Sequence, residues 1–426
     1  MPKETAIPAP AAAQPLIVEA DFFHQNLPSG VELAVDRLPE RNTVALAFRM
    51  LSGAADDPME LGGLAAIVER TLSKGTKRHD GRGLADAFDA IGAAWSTTTG
   101  RQSTVMRVLC LPEFVPQALE LSAEMLTQPT FPDDACRVAV ELAQQELKNL
   151  EDSPDSLVRV LSQKLTYGDL FGRYVGGEAE TLARITPDKV RDHWKRMFTA
   201  GRLQISIAGA VDAEAVAALV DRLFNGLGRR EPAGRQPADF EFRPARSHRH
   251  KDLEQEYIAI TLPGASRSDP DFAVEQVALG VLSGGMSGRL FTEVREKLGL
   301  VYWVGAWHEQ PRGRGIINLG ASTTPERSHK TYQTLMRELR RLSEDLTEAE
   351  VARARDQHIA HKETEDDLTR ARAGNLSDDL FHFSRPIQPQ VELDAIRAVD
   401  AARVEAYVRK LPRDRVCVAT LGKREL

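Results

Sequence analysis

The first candidate for chemistry in this sequence is a glutamate on a predicted helix, together with the residues three positions before it and one position after it. Glu69 stands three positions after Ala66 and directly before Arg70, in an apolar run at residues 63–76. Positions three and four residues apart lie on one face of a helix. A glutamate on such a face can act as a general base beside a bound metal ion when its neighbours are metal ligands. A methyl group and a guanidinium cannot bind a metal ion, so we predict no metal here and a structural role for Glu69, paired with Arg70 or another base.

An arginine and a tyrosine in the other half of the chain form the second candidate. Arg295 and Tyr302 stand seven residues apart within residues 283–302. A guanidinium and a phenol can both donate hydrogen bonds to a peptide carbonyl and to the oxyanion that develops on it. The alternative is an arginine on a helix surface and a strand tyrosine half-buried in a sheet. The pair taken alone favours that alternative, and only its surroundings favour a function.

Both segments resemble those of one peptidase family. Residues 63–76 contain Gly-Leu-Ala followed by Lys-Gly-Thr, and residues 289–302 contain Arg-Leu-Phe, Arg-Glu and Gly-Leu-Val-Tyr. In combination they are similar to the insulinase/pitrilysin family of inverted zincins, in which a helix carries His-x-x-Glu-His. The resemblance extends from about residue 27 to about residue 421, through both halves of the chain.

The resemblance implies that the zinc site of the family has been lost from this chain. It places Ala66 and Arg70 at the two histidine positions and keeps only the base, Glu69. The third ligand of the family, a glutamate on a later helix, corresponds best to Glu146, 76 residues after Arg70. We therefore expect no cofactor in this chain.

The resemblance also implies groups that act on a substrate. In the family, the arginine and tyrosine that match Arg295 and Tyr302 reach across a chamber to the peptide at the zinc ion, which makes these two residues the predicted catalytic pair. A further segment is similar to the edge strand that accepts an extended peptide by strand addition, with a buried hairpin strand as the alternative. The residues of this predicted substrate-binding strand are Trp95, Ser96, Thr97, Thr98 and Thr99.

Together with the length of the chain, the resemblance implies that the catalytic groups are divided between two subunits. Some family members hold all parts in one long polypeptide, whereas others divide them between two half-length subunits, of which one carries zinc. With 426 residues, this chain resembles the zinc-free subunit of the half-length type, similar to the alpha-like partner in mitochondrial processing peptidase. The resemblance then implies a heterodimer with a homologous zinc-bearing subunit, zinc in that partner, a peptide substrate, and no peptidase activity of the isolated chain.

Two other functions remain open at this point. One is a catalytically inactive structural or scaffold protein, like the core subunits of respiratory complexes, although a retained arginine and tyrosine argue against it. The other is a metal site at His358 and His361, three residues apart on a predicted helix with Glu363 and Glu365 nearby. A polar helix surface explains the two histidines better than a metal does.

An internal repeat predicts the elements that position these residues. Residues 202–209 are echoed about 213 residues later by residues 415–422, and each segment is an apolar strand that ends at glycine. Residues 44–51 and 257–262 likewise both run into a glycine loop and an Asp-Pro pair. Two tandem copies of one unit follow, with a Gly/Pro/Arg-rich linker between them.

Within each copy, strands separated by short polar turns predict antiparallel hairpins, and amphipathic helices follow them. We therefore predict an α+β fold of two tandem homologous domains, each a mainly antiparallel β-sheet covered by α-helices. The predicted divisions are a flexible N-terminal tail at residues 1–20, a first domain at 21–225, a linker at 226–240 and a second domain at 241–426.

Composition narrows the remaining classes. The chain is 42% apolar and 27% charged, as is typical of globular proteins, and its net charge of −7 argues against a nucleic-acid partner. It lacks an apolar run of about 18 residues, so we predict no membrane span. We expect a soluble protein, cytoplasmic as the sequence stands and periplasmic if a signal peptide has been removed.

Overall fold

The structure, a computed structural model, describes residues 21–228 and 237–426. The predicted N-terminal tail, residues 1–20, lies outside the described residues, as do residues 229–236 of the predicted linker. None of the helices in the described ranges combines the length and the apolar character needed to cross a bilayer.

Two β-sheets form the framework. The first sheet is built from β1 (Asp21–Asn26), β2 (Glu32–Arg37), β3 (Val44–Met50), β4 (Ala94–Thr99), β5 (Thr104–Cys110) and β6 (Leu203–Gly209). The second is built from β7 (Ala245–His250), β8 (Glu256–Gly264), β9 (Val301–Glu309), β10 (Gly315–Thr323) and β11 (Cys417–Gly422). Their strand orders are β1-β2-β6-β3-β5-β4 and β7-β11-β8-β10-β9, so β4 and β9 lie at equivalent edges.

The helices follow the same repeated order. Those of the first half are α1 (Leu64–Leu72), α2 (Gly81–Ala90), α3 (Val115–Thr127), α4 (Asp133–Glu151), α5 (Pro154–Phe171), α6 (Ala179–Leu182), α7 (Pro187–Met197) and α8 (Ala213–Phe224). Those of the second half are α9 (Phe272–Ser283), a π-helix (Leu290–Lys297), α10 (Ser328–Arg341), α11 (Glu348–Asp366), α12 (Thr369–Phe383), α13 (Pro389–Arg397) and α14 (Ala401–Lys410).

Strand pairing confirms the predicted fold class. Neighbouring strands run antiparallel except in the pairs β2–β6 and β7–β11, which are parallel. Both predicted hairpins are present, as β4–β5 and β9–β10. An apolar core lies between each sheet and its helices. The chain is therefore an α+β protein with two sheets of mainly antiparallel strands, each covered by helices.

Register shows how closely the halves correspond. In the first sheet Ala47 of β3 lies opposite Ser206 of β6, and in the second Ala259 of β8 lies opposite Ala419 of β11. Ser206 and Ala419 are 213 residues apart, which is the spacing of the sequence repeat. Ala47 and Ala259 are therefore equivalent positions.

A feature that the sequence did not reveal is an exchange of helices between the halves. Helix α12 packs against β2, β3 and β6 of the first sheet, whereas α5 packs against β8 and β11 of the second. On one side Leu376 and Leu380 of α12 pack on Ala34. On the other, the Thr166 hydroxyl of α5 is hydrogen-bonded to that of Thr261 at 2.6 Å.

The exchange explains why the central strands are buried on both faces. All seven residues of β3 and all seven of β6 are buried, as are all six of β11. A polar group on such a strand needs a partner within the protein. Arg49 of β3 donates hydrogen bonds to Ser377 of α12 at 2.9 Å and to Ser103 at 3.2 Å, and its guanidinium lies 4.9 Å from the Phe381 ring.

The exchanged helix generates a prediction about stability. Leu380 is fully buried, whereas Leu368, just before α12, is 45% exposed. We expect Leu380→Ala to lower the free energy of unfolding by about 2–4 kcal/mol, because it leaves a cavity between α12 and the first sheet. Leu368→Ala, the matched control, should change it by less than about 1 kcal/mol. Urea unfolding followed by circular dichroism measures both, and equal effects of the two variants would contradict the exchange.

Candidate functional site

The helix with the degenerate motif is fixed at its first turn. Helix α1 begins after Gly63, whose φ of 96° lies in the left-handed region that favours glycine. The buried carboxylate of Asp57 accepts hydrogen bonds from the N–H groups of Gly63 and Ala65, both at 2.9 Å. Burial raises the pKa of Asp57 to about 7. These contacts set the direction in which α1 presents its residues 66, 69 and 70.

Arg70 and Glu146, which the resemblance places at two zinc-ligand positions, are paired with each other. The Arg70 guanidinium on α1 donates two hydrogen bonds to the Glu146 carboxylate on α4, at 3.0 and 2.5 Å. Ala66 is buried on the same helix. The residues present therefore do not fit a zinc ion, because a methyl group replaces one imidazole and a cation paired with the remaining carboxylate replaces the other.

Glu69 has a different partner from the one predicted. Its carboxylate accepts a hydrogen bond from the Thr97 hydroxyl on β4, while Arg70 is engaged by Glu146. Of the predicted partners, Arg70 or another base, Arg70 does not donate this hydrogen bond, although its nearby charge favours the carboxylate form of Glu69. Burial raises the pKa of Glu69, and the Thr97 bond and Arg70 oppose that rise. Glu69 thus ties α1 to the edge of the first sheet.

The predicted substrate-binding strand lies at that edge. Burial alternates along β4: Ala94, Ser96 and Thr98 are exposed, and the residues between them are partly buried. The Trp95 ring packs on Phe88, with 5.4 Å between centroids. The side of β4 away from β5 pairs with no other strand of the described ranges. Unpaired backbone groups of this kind can bind an extended peptide.

Arg295 and Tyr302 lie together on the surface of the second half. The Arg295 guanidinium, on the π-helix, is 6.0 Å from the centroid of the Tyr302 ring and 5.0 Å from that of Phe291. Tyr302 is 74% exposed, so the interpretation of a half-buried strand tyrosine is wrong. π-Helical turns are often found at functional sites.

A β-bulge, which the sequence did not predict, aims Tyr302. Trp303 lies opposite Ser322 of β10, and Val301 lies opposite the next residue, Thr323. Tyr302 is thus an extra residue without a partner on β10. Bulges re-aim side chains and are frequent beside active sites.

Another missed residue is Arg289, which anchors the segment before Arg295. Its buried guanidinium donates hydrogen bonds to Glu350 at 2.7 and 2.8 Å and to Asp345 at 2.7 Å. The hydrogen bond from Arg289 lowers the pKa of Glu350 to about 2. The π-helix that carries Arg295 therefore starts from a fixed point.

The alternative metal site at the two histidines is not supported. His361 lies 3.3 Å from Glu365 in an exposed pair on one helix. Burial lowers the pKa of His358, which also lies near His308. Across residues 21–228 and 237–426 no three His, Cys, Asp or Glu side chains are grouped so that they can hold a metal ion.

Sequence profiles identify the family. Residues 32–170 match the profile described as insulinase (peptidase family M16), and residues 184–358 match that described as peptidase M16 inactive domain. The chain therefore belongs to the insulinase family of peptidases, as its motifs predict, and its residues are those of a member without a zinc site.

Similar proteins cover almost the same length. A Rickettsia bellii protein described as an uncharacterized zinc protease is 25% identical over 411 residues, which are 96% of this chain and 99% of that protein. A probable mitochondrial-processing peptidase subunit beta of Arabidopsis thaliana is 25% identical over 93% of this chain and 77% of its own. In fold, the chain resembles a peptidase M16 inactive domain structure from Pseudomonas fluorescens, with a TM-score of 0.85, 20% identity, and coverage of 95% of this chain and 98% of that one.

The Arg70–Glu146 pair generates a test of the lost metal site. We expect the native chain to bind no zinc, and the double variant Ala66→His/Arg70→His to bind about one zinc ion per chain, because it restores two imidazoles on one face of α1, next to the Glu146 carboxylate of α4. Elemental analysis of the purified proteins measures the ratio. Adding Glu146→Gln to the double variant should abolish uptake, and unchanged uptake would remove Glu146 from the site.

The contact between Arg289 and Glu350 predicts that the stability of the fold depends on pH. Because the pKa of Glu350 falls from 4.5 to about 2 on folding, its contribution to stability is complete above about pH 4.5 and is lost as the pH falls toward 2. We expect Glu350→Gln to be less stable than the native chain by about 1–2 kcal/mol at pH 6, after allowing for solvent screening. Chemical unfolding at several pH values should show this difference shrinking below pH 4.5. The control is Glu344→Gln at an exposed position, which should change the free energy of unfolding at pH 6 by less than about 0.5 kcal/mol.

Proposed function

We propose that this chain is the zinc-free subunit of a heterodimeric zinc endopeptidase that degrades peptides in an enclosed chamber. The observation that carries the proposal is a contrast within one molecule. Arg295 and Tyr302 are together and exposed, whereas the ligand positions in the first half hold Ala66 and an ion pair, Arg70–Glu146.

The chemistry of the exposed pair suits a peptide bond under attack. A guanidinium and a phenolic hydroxyl are strong hydrogen-bond donors, and donors aimed at a developing oxyanion lower the barrier to hydrolysis. In the described part of the chain neither Arg295 nor Tyr302 donates a side-chain hydrogen bond, and Arg295 forms no ion pair there. Both side chains are therefore free to act on a substrate that another chain holds.

The metal is expected to come from a homologous partner. Residues 21–228 and 237–426 contain no group that fits zinc, and one relative is described as a probable mitochondrial-processing peptidase subunit. A zinc-bearing sister chain of similar length would supply the metal-bound water, while this chain supplies Arg295 and Tyr302. The zinc then belongs to the partner subunit, and this chain needs no cofactor of its own.

The edge strand β4 supports a role in holding the peptide. Its exposed residues Ser96 and Thr98 alternate with Thr97, whose hydroxyl donates to Glu69 of α1. That hydrogen bond stiffens the edge without occupying its outer backbone groups. In this proposal residues 95–99 bind an extended peptide by strand addition, and Glu69 positions the strand instead of acting as a base.

The second candidate function is a structural or scaffold subunit. The replacement of metal ligands by the Arg70–Glu146 ion pair suits such a role equally well, because the pair links α1 to α4 without any catalytic role. The exposed pair in the second half favours the peptidase subunit, since a scaffold has no need of an arginine and a tyrosine beside a bulge.

The two functions differ in a measurable activity. We expect the isolated chain to cleave no peptide, and its complex with a homologue that carries intact His-x-x-Glu-His to cleave an internally quenched peptide. In that complex Arg295→Ala or Tyr302→Phe should lower turnover by about 10²-fold, the scale of losing one oxyanion donor.

The control is Glu296→Gln, an exposed neighbour of Arg295, which should leave turnover unchanged. Full activity of both test variants would make the pair structural. A stable complex that cleaves no peptide would favour the scaffold.

A further inference from the structure

A cavity of about 550 Å³ lies between the exchanged helix α5 and the second sheet, on the side of β8, β9 and β10 that α5 covers. This volume falls within the range of about 300–1,000 Å³ that is usual for small-ligand sites. We name it the α5–β9 cavity. Its lining includes Tyr302 of the proposed catalytic pair but not Arg295. The cavity therefore lies next to the pair.

Two indoles and two glycines build the floor. Trp303 and Trp307 of β9 line the cavity with ring centroids 6.1 Å apart. The Trp303 ring lies close to Gly305 and Gly320, which face each other across β9 and β10, and the Trp307 ring lies close to Gly320. A Cβ atom at Gly320 would come within 2.9 Å of the Trp303 ring and 3.1 Å of the Trp307 ring. The missing side chain at Gly320 therefore allows both rings to approach the sheet closely.

The first half provides an internal reference for this arrangement. Ala47 lies opposite Arg107 on β5, and its equivalent Ala259 lies opposite Gly320 on β10. Arg107 and Gly320 are thus equivalent positions. The corresponding crevice between α12 and the first sheet is lined by Arg107 and measures about 250 Å³, less than half as much. The repeat alone does not require a large cavity, so the second half has departed from it.

Charges of both signs stand at the mouth. Asp155 and Arg159 line the cavity from one face of α5, four residues apart and therefore about 5–6 Å from each other at Cβ. Both are exposed, and neither forms an ion pair with any residue of the described ranges. Asp155 lies close enough to Tyr257, another lining residue, to help raise the pKa of its phenol, after the larger effect of burial.

Polar groups inside the cavity are available for hydrogen bonding. Ser162 and Ser322 line it and are buried, and their hydroxyls make no hydrogen bond with the described part of the chain. Asn318, 7% exposed, makes only a 3.4 Å bond from its amide to the Ile316 carbonyl. An apolar floor with a few convergent polar groups is typical of a specific ligand site.

We propose that the α5–β9 cavity binds a short peptide with free amino and carboxyl termini and a large apolar side chain. The indoles of Trp303 and Trp307 receive the side chain. Asp155 pairs with the ammonium group and Arg159 with the carboxylate, because opposite charges one helical turn apart complement the two ends of a dipeptide. We further infer that this peptide is a product of peptide degradation. That inference rests on the proposed function, whereas the binding site itself does not.

The probe is the dipeptide Leu-Phe, titrated into the full chain without any partner and measured by calorimetry and by tryptophan fluorescence. We expect saturable binding of one dipeptide per chain. The N-acetylated, C-amidated form of Leu-Phe should bind at least about tenfold more weakly, since both charged contacts are lost. Binding of the blocked form with equal affinity, or no saturable binding of either form, would overturn the proposal.

Variants locate the site. Arg159→Gln should weaken binding of Leu-Phe about tenfold, the effect of one charge-assisted hydrogen bond, and Trp307→Ala should weaken it at least as much. The matched control is Arg370→Gln, because Arg370 lines the smaller crevice under α12, and it should leave the affinity unchanged. Thermal unfolding checks that each variant is folded, and Arg159→Gln serves as the decisive one if Trp307→Ala is not.

These outcomes are separable from those of the proposed function. The binding measurement uses the isolated chain and does not depend on zinc, on a partner or on Arg295. Binding of Leu-Phe to a chain whose complex proves inactive would keep the site and overturn the peptidase role. If the complex is active but the chain does not bind Leu-Phe, the peptidase role is kept and the proposed peptide site is overturned.

Discussion

The second face of each β-sheet is covered by a helix from the other half of the chain. Strands β3 and β6 are buried completely because α12 lies over them, and β11 because α5 does. Apolar surface removed from water contributes about 25 cal/mol per Å², so neither half can expose this face without a large loss of stability. The two halves are thus packed against each other through α5 and α12, while each keeps an apolar core of its own. The crevices beneath α5 and α12 are a consequence of the same exchange.

Loss of metal ligands and gain of a cation are physically linked in the first half. The Glu146 carboxylate lies close enough to Glu69 to help raise its pKa, and without a cation the two charges would repel each other. The guanidinium of Arg70 compensates them with two directed hydrogen bonds to Glu146. The pair is partly exposed, so its value lies in satisfying Glu146 and not in a large contribution to stability.

Patterns local in sequence were predictable, and contacts between distant segments were not. Strand segments on either side of short polar turns predicted both hairpins, β4–β5 and β9–β10. The repeat at 213 residues predicted two copies of one sheet. The apolar side of α12 is compatible with either sheet, so the sequence does not indicate that α12 packs on the first sheet. Arg289 meets partners 56 and 61 residues away, and Glu69 meets Thr97 across 28. The apolar run at residues 44–48 of β3 is the one trace of a second covering layer, because β6 alternates apolar residues with Gln204 and Ser206.

The bulge at Tyr302 connects the two proposed activities of the second half. In a regular strand, neighbouring side chains point to opposite faces, and Tyr302 and Trp303 would then be separated by the sheet. The extra residue breaks this alternation, so that both side chains line the α5–β9 cavity. The phenol that we propose acts on a peptide held by a partner thereby lies beside a cavity lined by two indoles. The equivalent hairpin β4–β5 keeps one uninterrupted register and carries Arg107 where the second half has Gly320. One irregular residue and one missing side chain are therefore enough to give two copies of the same fold different chemistry.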